Sequence, residues 1–159
     1  SIQSMAARYL QNAPIKIVVG RDASQPDGSS SEMVLRASAT VEQRVEVLAP
    51  AEKEARLLAL LKQYYEASRK NRIIIFALYK KEADRLEHLV RRAGYPVAGL
   101  HGDKPQAERT RCLDAFRAGT CPLLVATDVA ARGLDIPAVE FVINFTFPLT
   151  IEDYVHRVG

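Results

Sequence analysis

The residues best suited to chemistry lie in one run, Ala126-Thr-Asp-Val-Ala-Ala-Arg-Gly-Leu-Asp-Ile-Pro137. It holds two carboxylates, a threonine, an arginine and a glycine within nine residues, Thr127 to Asp135. It follows Pro122-Leu-Leu-Val125, an apolar stretch that predicts a buried strand. A polar cluster at a strand's C-terminal end is where open α/β sheets hold ligands, because the loops there carry amides and side chains past the packed core. Thr127, Gly133 and Asp135 are the members least explained by packing. Asp128 reads first as a structural carboxylate that bonds nearby amides or an arginine, rather than as a general base.

Three more clusters stand after apolar runs. Leu78-Tyr-Lys-Lys81 follows Ile73–Ala77, and His101-Gly-Asp-Lys104 follows Val97–Leu100, with Gln106-Ala-Glu-Arg109 in the next helical turn. Thr146-Phe-Pro148 and then His156-Arg-Val-Gly159 follow Val139–Phe145. One common sheet edge would gather all of them into a site. A site that tracks a nucleic-acid backbone needs donors at phosphate spacing, from side chains and helix N-termini. Thr127, Gln106, Arg109, Lys80 and the Gly102 amide suit that task. Such contacts are blind to base sequence, and 2′-hydroxyl contacts would separate RNA from DNA. Simpler readings stand beside these: Lys80 and Lys81 as solvated helix-start charges, Arg109 as a partner of Glu108 or Asp103, and His101 as a satisfied loop histidine.

Several chemistries are argued against. There is no GxxxxGK[ST] loop to cradle a nucleoside triphosphate and no Ser/His/Asp signature. His88, His101 and His156 are far apart in sequence and suggest no metal site. A self-contained enzyme is therefore not expected. Cys112 and Cys121 are too few for a disulfide framework and read as reduced thiols of an intracellular protein. The net charge of +3 permits a polyanionic partner without requiring one. No apolar run approaches a membrane span. The missing start Met and the end at Gly159 suggest an excised, monomeric fragment, read as one domain over residues 1–159.

The elements that must position these clusters alternate. Ser4 to Asn12 looks like the tail of a helix, Ile15–Val19 a strand, Gly20–Ser31 a polar surface loop, and Thr40–Leu48 a strand through Val41, Val45 and Val47. Pro50 opens a helix through Tyr65 that buries Leu57, Leu58, Leu61 and Tyr64. Strands over Ile73–Ala77, Val97–Leu100, Leu123–Ala126 and Val139–Phe145 then alternate with helices over Lys80–Arg92 and Pro105–Ala118. The first of these helices buries Ala83, Leu86, Leu89 and Val90, the second Leu113 and Phe116. A last helix begins at Thr150, with Asp153 in the capping-box position. The class is α/β, an open parallel β-sheet with helices on both faces.

The motifs, in this order and spacing, closely resemble the second, C-terminal RecA-like domain of DEAD-box ATP-dependent RNA helicases, over essentially the whole chain. Ala126–Ile136 resembles motif V, and Ile73-Ile-Ile-Phe76 motif IV. His101-Gly-Asp103 with Gln106-x-x-Arg109 is similar to the HGD and QxxR elements, and Tyr154-Val-His-Arg-Val-Gly159 to the start of motif VI. Ala6-x-x-Tyr9-Leu10, Ile15–Gly20 and Val41-x-Gln43 follow the way these chains lead into that domain. Phe76–Ala83 and Thr146–Tyr154 are most similar to the nucleolar, ribosome-biogenesis branch, which implies the nucleus or nucleolus.

The resemblance implies that Thr127, Gly102, Gln106 and Arg109 bind single-stranded or short duplex RNA, and Lys80 joins them as an RNA-binding candidate from its place among the donors. It implies that Asp135, with Gly133, contacts ATP. Asp128, Arg132, His156 and Arg157 would couple the two RecA-like domains. ATP with Mg2+ would be held mainly by the N-terminal RecA-like domain, and the arginine fingers would follow Gly159, so the fragment alone would not be catalytic. Two rivals remain: a non-catalytic RNA-binding scaffold of the same shape, and a DNA- or protein-remodelling motor of the same superfamily.

Overall fold

Ile73–Ala77 and Leu123–Ala126 are apolar at every position, which suits strands covered on both faces. They occupy the centre of the sheet. The computed structural model describes residues 41–67, 71–133, 136 and 139–158. Within these, a 3-10 turn (Pro50–Glu52) leads into α1 (Lys53–Tyr64), β1 (Arg72–Ala77), α2 (Lys80–Arg92), β2 (Val97–Leu100) and α3 (Gln106–Arg117). Then come β3 (Leu123–Thr127), α4 (Asp128–Ala131), β4 (Val139–Asn144) and α5 (Ile151–Val158). The four strands lie in the order β2-β3-β1-β4. Every pair is parallel, with Ala77 opposite Thr127, Leu100 opposite Ala126 and Phe76 opposite Asn144.

The period of two along each strand divides the core into two layers. Ile73, Ile75, Ala77, Leu123 and Val125 face Leu57 and Leu61 of α1 and Ala83, Leu86 and Val90 of α2. Ile74, Phe76, Leu124 and Ala126 face Phe116 of α3 and Ala130 of α4. The expected helix faces are thus found, with Leu58, Tyr64 and Leu89 half-buried at the margin. A charged residue, Glu87, joins the inward face of α2.

The four expectations at the N-terminal end fare differently. The helix tail at Ser4–Asn12, the strand at Ile15–Val19 and the loop at Gly20–Ser31 lie outside the described residues. The strand over Thr40–Leu48 is corrected: residues 41–49 join no described strand, and Val45 and Val47 are exposed. Alternating valines favour an extended chain, but a strand exists only with a hydrogen-bonding partner.

The last helix begins as expected. Thr150 Oγ1 accepts the Asp153 amide at 3.0 Å and donates to Asp153 Oδ2 at 2.7 Å. Replacing the cap, Thr150→Ala, is expected to cost about 1 kcal/mol, read as a lowered urea midpoint with an unchanged slope.

Candidate functional site

Because the strands are parallel and their last residues are level with one another, all four C-terminal ends finish along one edge, where the described residues of the four polar clusters begin. The chain leaves β1 toward the α2 face and leaves β3 toward the α4 face. The edge between these central neighbours is therefore the switch point at which open α/β sheets form a crevice. Thr127 ends β3 at this point, largely buried, with its side chain making no capping bond to α4.

On the β2 side, residues 101–104 form a turn closed by a bond from the Lys104 amide to the His101 carbonyl at 3.2 Å. Gly102 is exposed at the turn, and Gln106 and Arg109 occupy the first turn of α3. Arg109 Nη1 donates to Gln106 Oε1 at 3.0 Å, while its Nε is buried and unpartnered. The simpler reading of Arg109 is thereby corrected, since Asp103 pairs with Lys80 at 2.6 Å and Glu108 with Lys104 at 3.0 Å. Lys80 is still an exposed helix-start charge, but it holds the turn rather than standing free. The satisfied-histidine reading of His101 is also corrected. Its ring is buried at the end of β2 and neither nitrogen has a partner.

On the α4 face, a cleft of about 630 Å³ gathers Asp128, Arg132, Gly133, His156 and Arg157. Arg157, only 4 % exposed, organises it. Its Nε and Nη2 donate to the two Asp128 oxygens at 2.6 Å each, and Nη1 donates to Asn144 Oδ1 and the Thr146 carbonyl at 2.9 Å each. The guanidinium carbon also lies 4.8 Å from the centre of the Phe76 ring. Bidentate pairing and cation–π stacking use the planar fork in a way lysine could not. Asp128 is thus held by an arginine, as its chemistry suggested.

Arg132 reaches Asp153 Oδ1 at 2.6 Å. The Thr150 hydroxyl, and then Arg132, hold the Asp153 carboxyl below its ordinary value. Gly133 has φ +71°, a left-handed conformation that disfavours side chains, and no heavy atom lies where its Cβ would be. His156 is exposed, and Asp135 lies outside the described residues. The Tyr154 hydroxyl bonds Gln43, linking the segment before α1 to α5.

The structure therefore sorts the singled-out residues into two groups along one edge. Lys80, Gly102, Gln106 and Arg109 belong to the β2 side, and Asp128, Arg132, Gly133, His156 and Arg157 to the cleft. Two acidic residues that escaped the sequence reading hold these groups in place. Glu82 accepts the Leu78 amide at 2.9 Å and the Thr146 hydroxyl at 2.8 Å, joining the loops after β1 and β4. Glu87 is buried between Arg91 and Lys104. The only available signal for Glu87 was an acidic residue next to Leu86 on the inward face of α2.

Ligand atoms of Asp84, Glu87 and His101 lie within 4.8 Å of one another. However, Oε1 of Glu87 accepts Arg91 at 2.5 Å and Oε2 lies 2.9 Å from Lys104. Two cations already neutralise this carboxylate and would repel a third, so the set is better described as an ion-pair network. Both cysteines are free, and burial pushes both thiols up, away from the reactive thiolate.

Comparison with known proteins agrees with this geometry. Residues 52–159 match the family described as Helicase conserved C-terminal domain. The whole chain is 54% identical to 27% of ATP-dependent RNA helicase DBP3 of Gibberella zeae. It is 49% identical, over 99% of its length, to 27% of DEAD-box ATP-dependent RNA helicase 5 of Arabidopsis thaliana. A solved structure described as S. cerevisiae Dbp5 bound to RNA and ADP BeF3 superposes with a TM-score of 0.60. That match has 36% identity and covers 69% of this chain and 28% of Dbp5. The chain spans about a quarter of the length of the curated relatives it matches. No helix among the described residues is long and apolar enough to cross a membrane. With its sheet, its switch-point edge and these matches, the chain belongs to the helicase C-terminal domain family, as a RecA-like domain of the DEAD-box type.

Proposed function

We propose that this domain is the C-terminal half of a DEAD-box ATP-dependent RNA helicase, binding the RNA backbone and completing the ATP site. The observation that carries this reading is the gathering of two distinct polar groups on one sheet edge. The β2-side group presents the exposed Gly102 and Gln106 and the half-buried Arg109, whose Nη1 is held by Gln106 Oε1. These are donors suited to phosphates. The cleft group holds Gly133 in a left-handed conformation within the same motif that carries Asp135, the residue assigned to ATP. Asp128 and Asp153 are each paired with an arginine, which fits Mg2+ being held mainly by the N-terminal RecA-like domain.

In this reading ATP and RNA favour a closed two-domain state, in which this half bends one strand and disrupts a short duplex. Hydrolysis and phosphate loss reopen the cleft. Neither ligand closes the cleft well alone, because closure draws on differential affinity for both. Asp128, Arg132, His156 and Arg157 serve the coupling between domains, with the Asp128–Arg157 pair keeping α4 and α5 in register. The likeness of Phe76–Ala83 and Thr146–Tyr154 to the ribosome-biogenesis branch supports a nuclear or nucleolar place, which fluorescence microscopy of the tagged protein tests.

The test is an ATPase assay on the full-length protein. Stimulation by RNA and not by DNA is expected, and equal stimulation by DNA overturns the reading. Arg109→Ala is expected to weaken RNA binding about tenfold and to reduce the slope of log affinity against log salt by about one. Thr127→Ala acts in the same direction. Asp135→Ala acts chiefly on nucleotide, and unaltered nucleotide affinity in that variant refutes the division of labour.

A further inference from the structure

Of the turn that presents Gly102 to solvent only His101 is buried; Gly102 and Asp103 are exposed and Lys104 is half-buried, so the tip of the turn has no buried apolar side chain. What holds it is charge. Lys104, the residue that closes the turn, reaches back to Glu87 on α2 at 2.9 Å and forward to Glu108 on α3 at 3.0 Å. Lys80 at the start of α2 holds Asp103 at 2.6 Å. Of these partners only Glu87 is buried, at 4 % exposed.

Gly99 creates the space for Glu87. A Cβ on Gly99 would stand 1.9 Å from Glu87 Oε2, so only glycine lets the carboxylate lie against β2. Burial would push that carboxyl up, but bonds from Lys104 and then Arg91 outweigh it and hold the group below its ordinary value. For Lys104, burial lowers the ammonium, yet its bonds to Glu87 and Glu108 leave it raised overall. The pair is therefore charged at neutral pH.

We propose that Glu87 is a positioning residue for RNA: through Lys104 it fixes the His101–Lys104 turn, and with it the Gly102 amide and the first turn of α3 that carries Gln106 and Arg109. The inference rests on the RNA-binding reading above. Glu87 touches no RNA itself. Its role is to hold donors that must meet successive phosphates without reorganising, since ordering a loose turn at the moment of binding opposes affinity. A carboxylate is required because two cations claim it. Arg91 Nη2 and Lys104 Nζ both donate to Oε1, and Lys104 also lies 2.9 Å from Oε2, so an amide with its oxygen at Oε1 keeps one bond to each cation but loses the charge and turns an N–H group toward Lys104 at the Oε2 position.

The test uses the full-length protein, a fluorescein-labelled oligo-uridine RNA and a non-hydrolysable ATP analogue. Simple electrostatics and positioning predict opposite signs for Glu87→Gln. Removing a negative charge near a polyanion should tighten binding, whereas loosening the turn should weaken it. The expected result is an RNA affinity lowered about tenfold, equivalent to roughly 1.4 kcal/mol. The RNA concentration for half-maximal ATPase stimulation should rise in parallel, with kcat at saturating RNA and nucleotide affinity unchanged. Lys104→Met should give the same loss, Lys104→Arg should retain wild-type RNA affinity, and the Glu87→Gln/Lys104→Met double variant should lose no more than either single one.

Unchanged or tightened RNA binding by Glu87→Gln overturns the proposal, as does a loss shared equally by RNA and nucleotide. If Glu87→Gln does not fold, the contrast between Lys104→Met and Lys104→Arg decides: equal affinities refute the clamp. Failure of the wild-type protein to bind the RNA at all instead sinks the RNA reading on which the clamp rests.

Discussion

Asp128→Ala is expected to destabilise the domain by about 3–5 kcal/mol, because it leaves a buried guanidinium without its counter-charge. Arg157 would retain only Asn144, the Thr146 carbonyl and the Phe76 ring. Those partners supply dipoles and a quadrupole but no charge, and the 4 % exposure of Arg157 gives water little access. The loss should reach beyond one bond, because Asp128 opens α4 and Arg157 lies in the last turn of α5, so the pair is what docks the two motif-bearing helices together. Urea denaturation followed by circular dichroism measures it. An Asp128→Leu/Arg157→Met double variant should recover much of the stability, since an apolar pair of similar volume avoids the desolvation cost. A loss below about 1 kcal/mol for Asp128→Ala, typical of exposed pairs, would show that water reaches the pair after all.

Phe116→Ala is expected to cost about 3–5 kcal/mol, as a large ring removed from a closed core leaves a cavity that backbone cannot fill. Phe116 is fully buried against the layer built by Ile74, Leu124 and Ala126. The position is also tied by its main chain. Arg72 Nε donates to the Phe116 carbonyl at 3.1 Å and Nη2 to the Arg117 carbonyl at 2.6 Å. This places a cation of β1 on the C-terminal end of α3, where the helix dipole favours it. Those bonds prevent α3 from sliding inward to close the gap, which puts the expected loss at the upper part of the range. Because Gln106 and Arg109 sit at the opposite end of α3, RNA affinity should fall with stability. A urea midpoint shifted without a change of slope would confirm loss of packing rather than a changed denatured state.

The β-branched and aliphatic runs at Ile73–Ala77 and Leu123–Ala126 were sufficient to place the two central strands. Such runs are unfavourable anywhere but between two helical layers. Helices α2 and α3 were equally readable from the 3.6-residue recurrence of Ala83, Leu86 and Val90 and of Leu113 and Phe116. The polar clusters were readable for a related reason: once strands are parallel, the residues after each strand must arrive at the same edge. Local pattern failed at residues 41–49. There the alternation describes an extended chain but cannot supply the partner that makes it a strand.

By itself the sequence determined the class of fold, the edge at which chemistry gathers and the family whose motifs it carries. All three depend on short-range order: periodicity, the order of elements and the residues just after each strand. Only the tertiary structure decided who holds whom. Arg157 finds Asp128 across 29 positions, Arg132 finds Asp153 across 21, and Lys104 finds Glu87 across 17. Charges of either sign occur throughout the chain, and no periodicity marks which two will meet. For Arg157 and Glu87 that choice is made by burial, which penalises an unpaired ion far more than water does, and by the space that Gly99 leaves for a carboxylate, whereas the exposed Arg132 meets Asp153 because the fold brings the end of α4 beside α5.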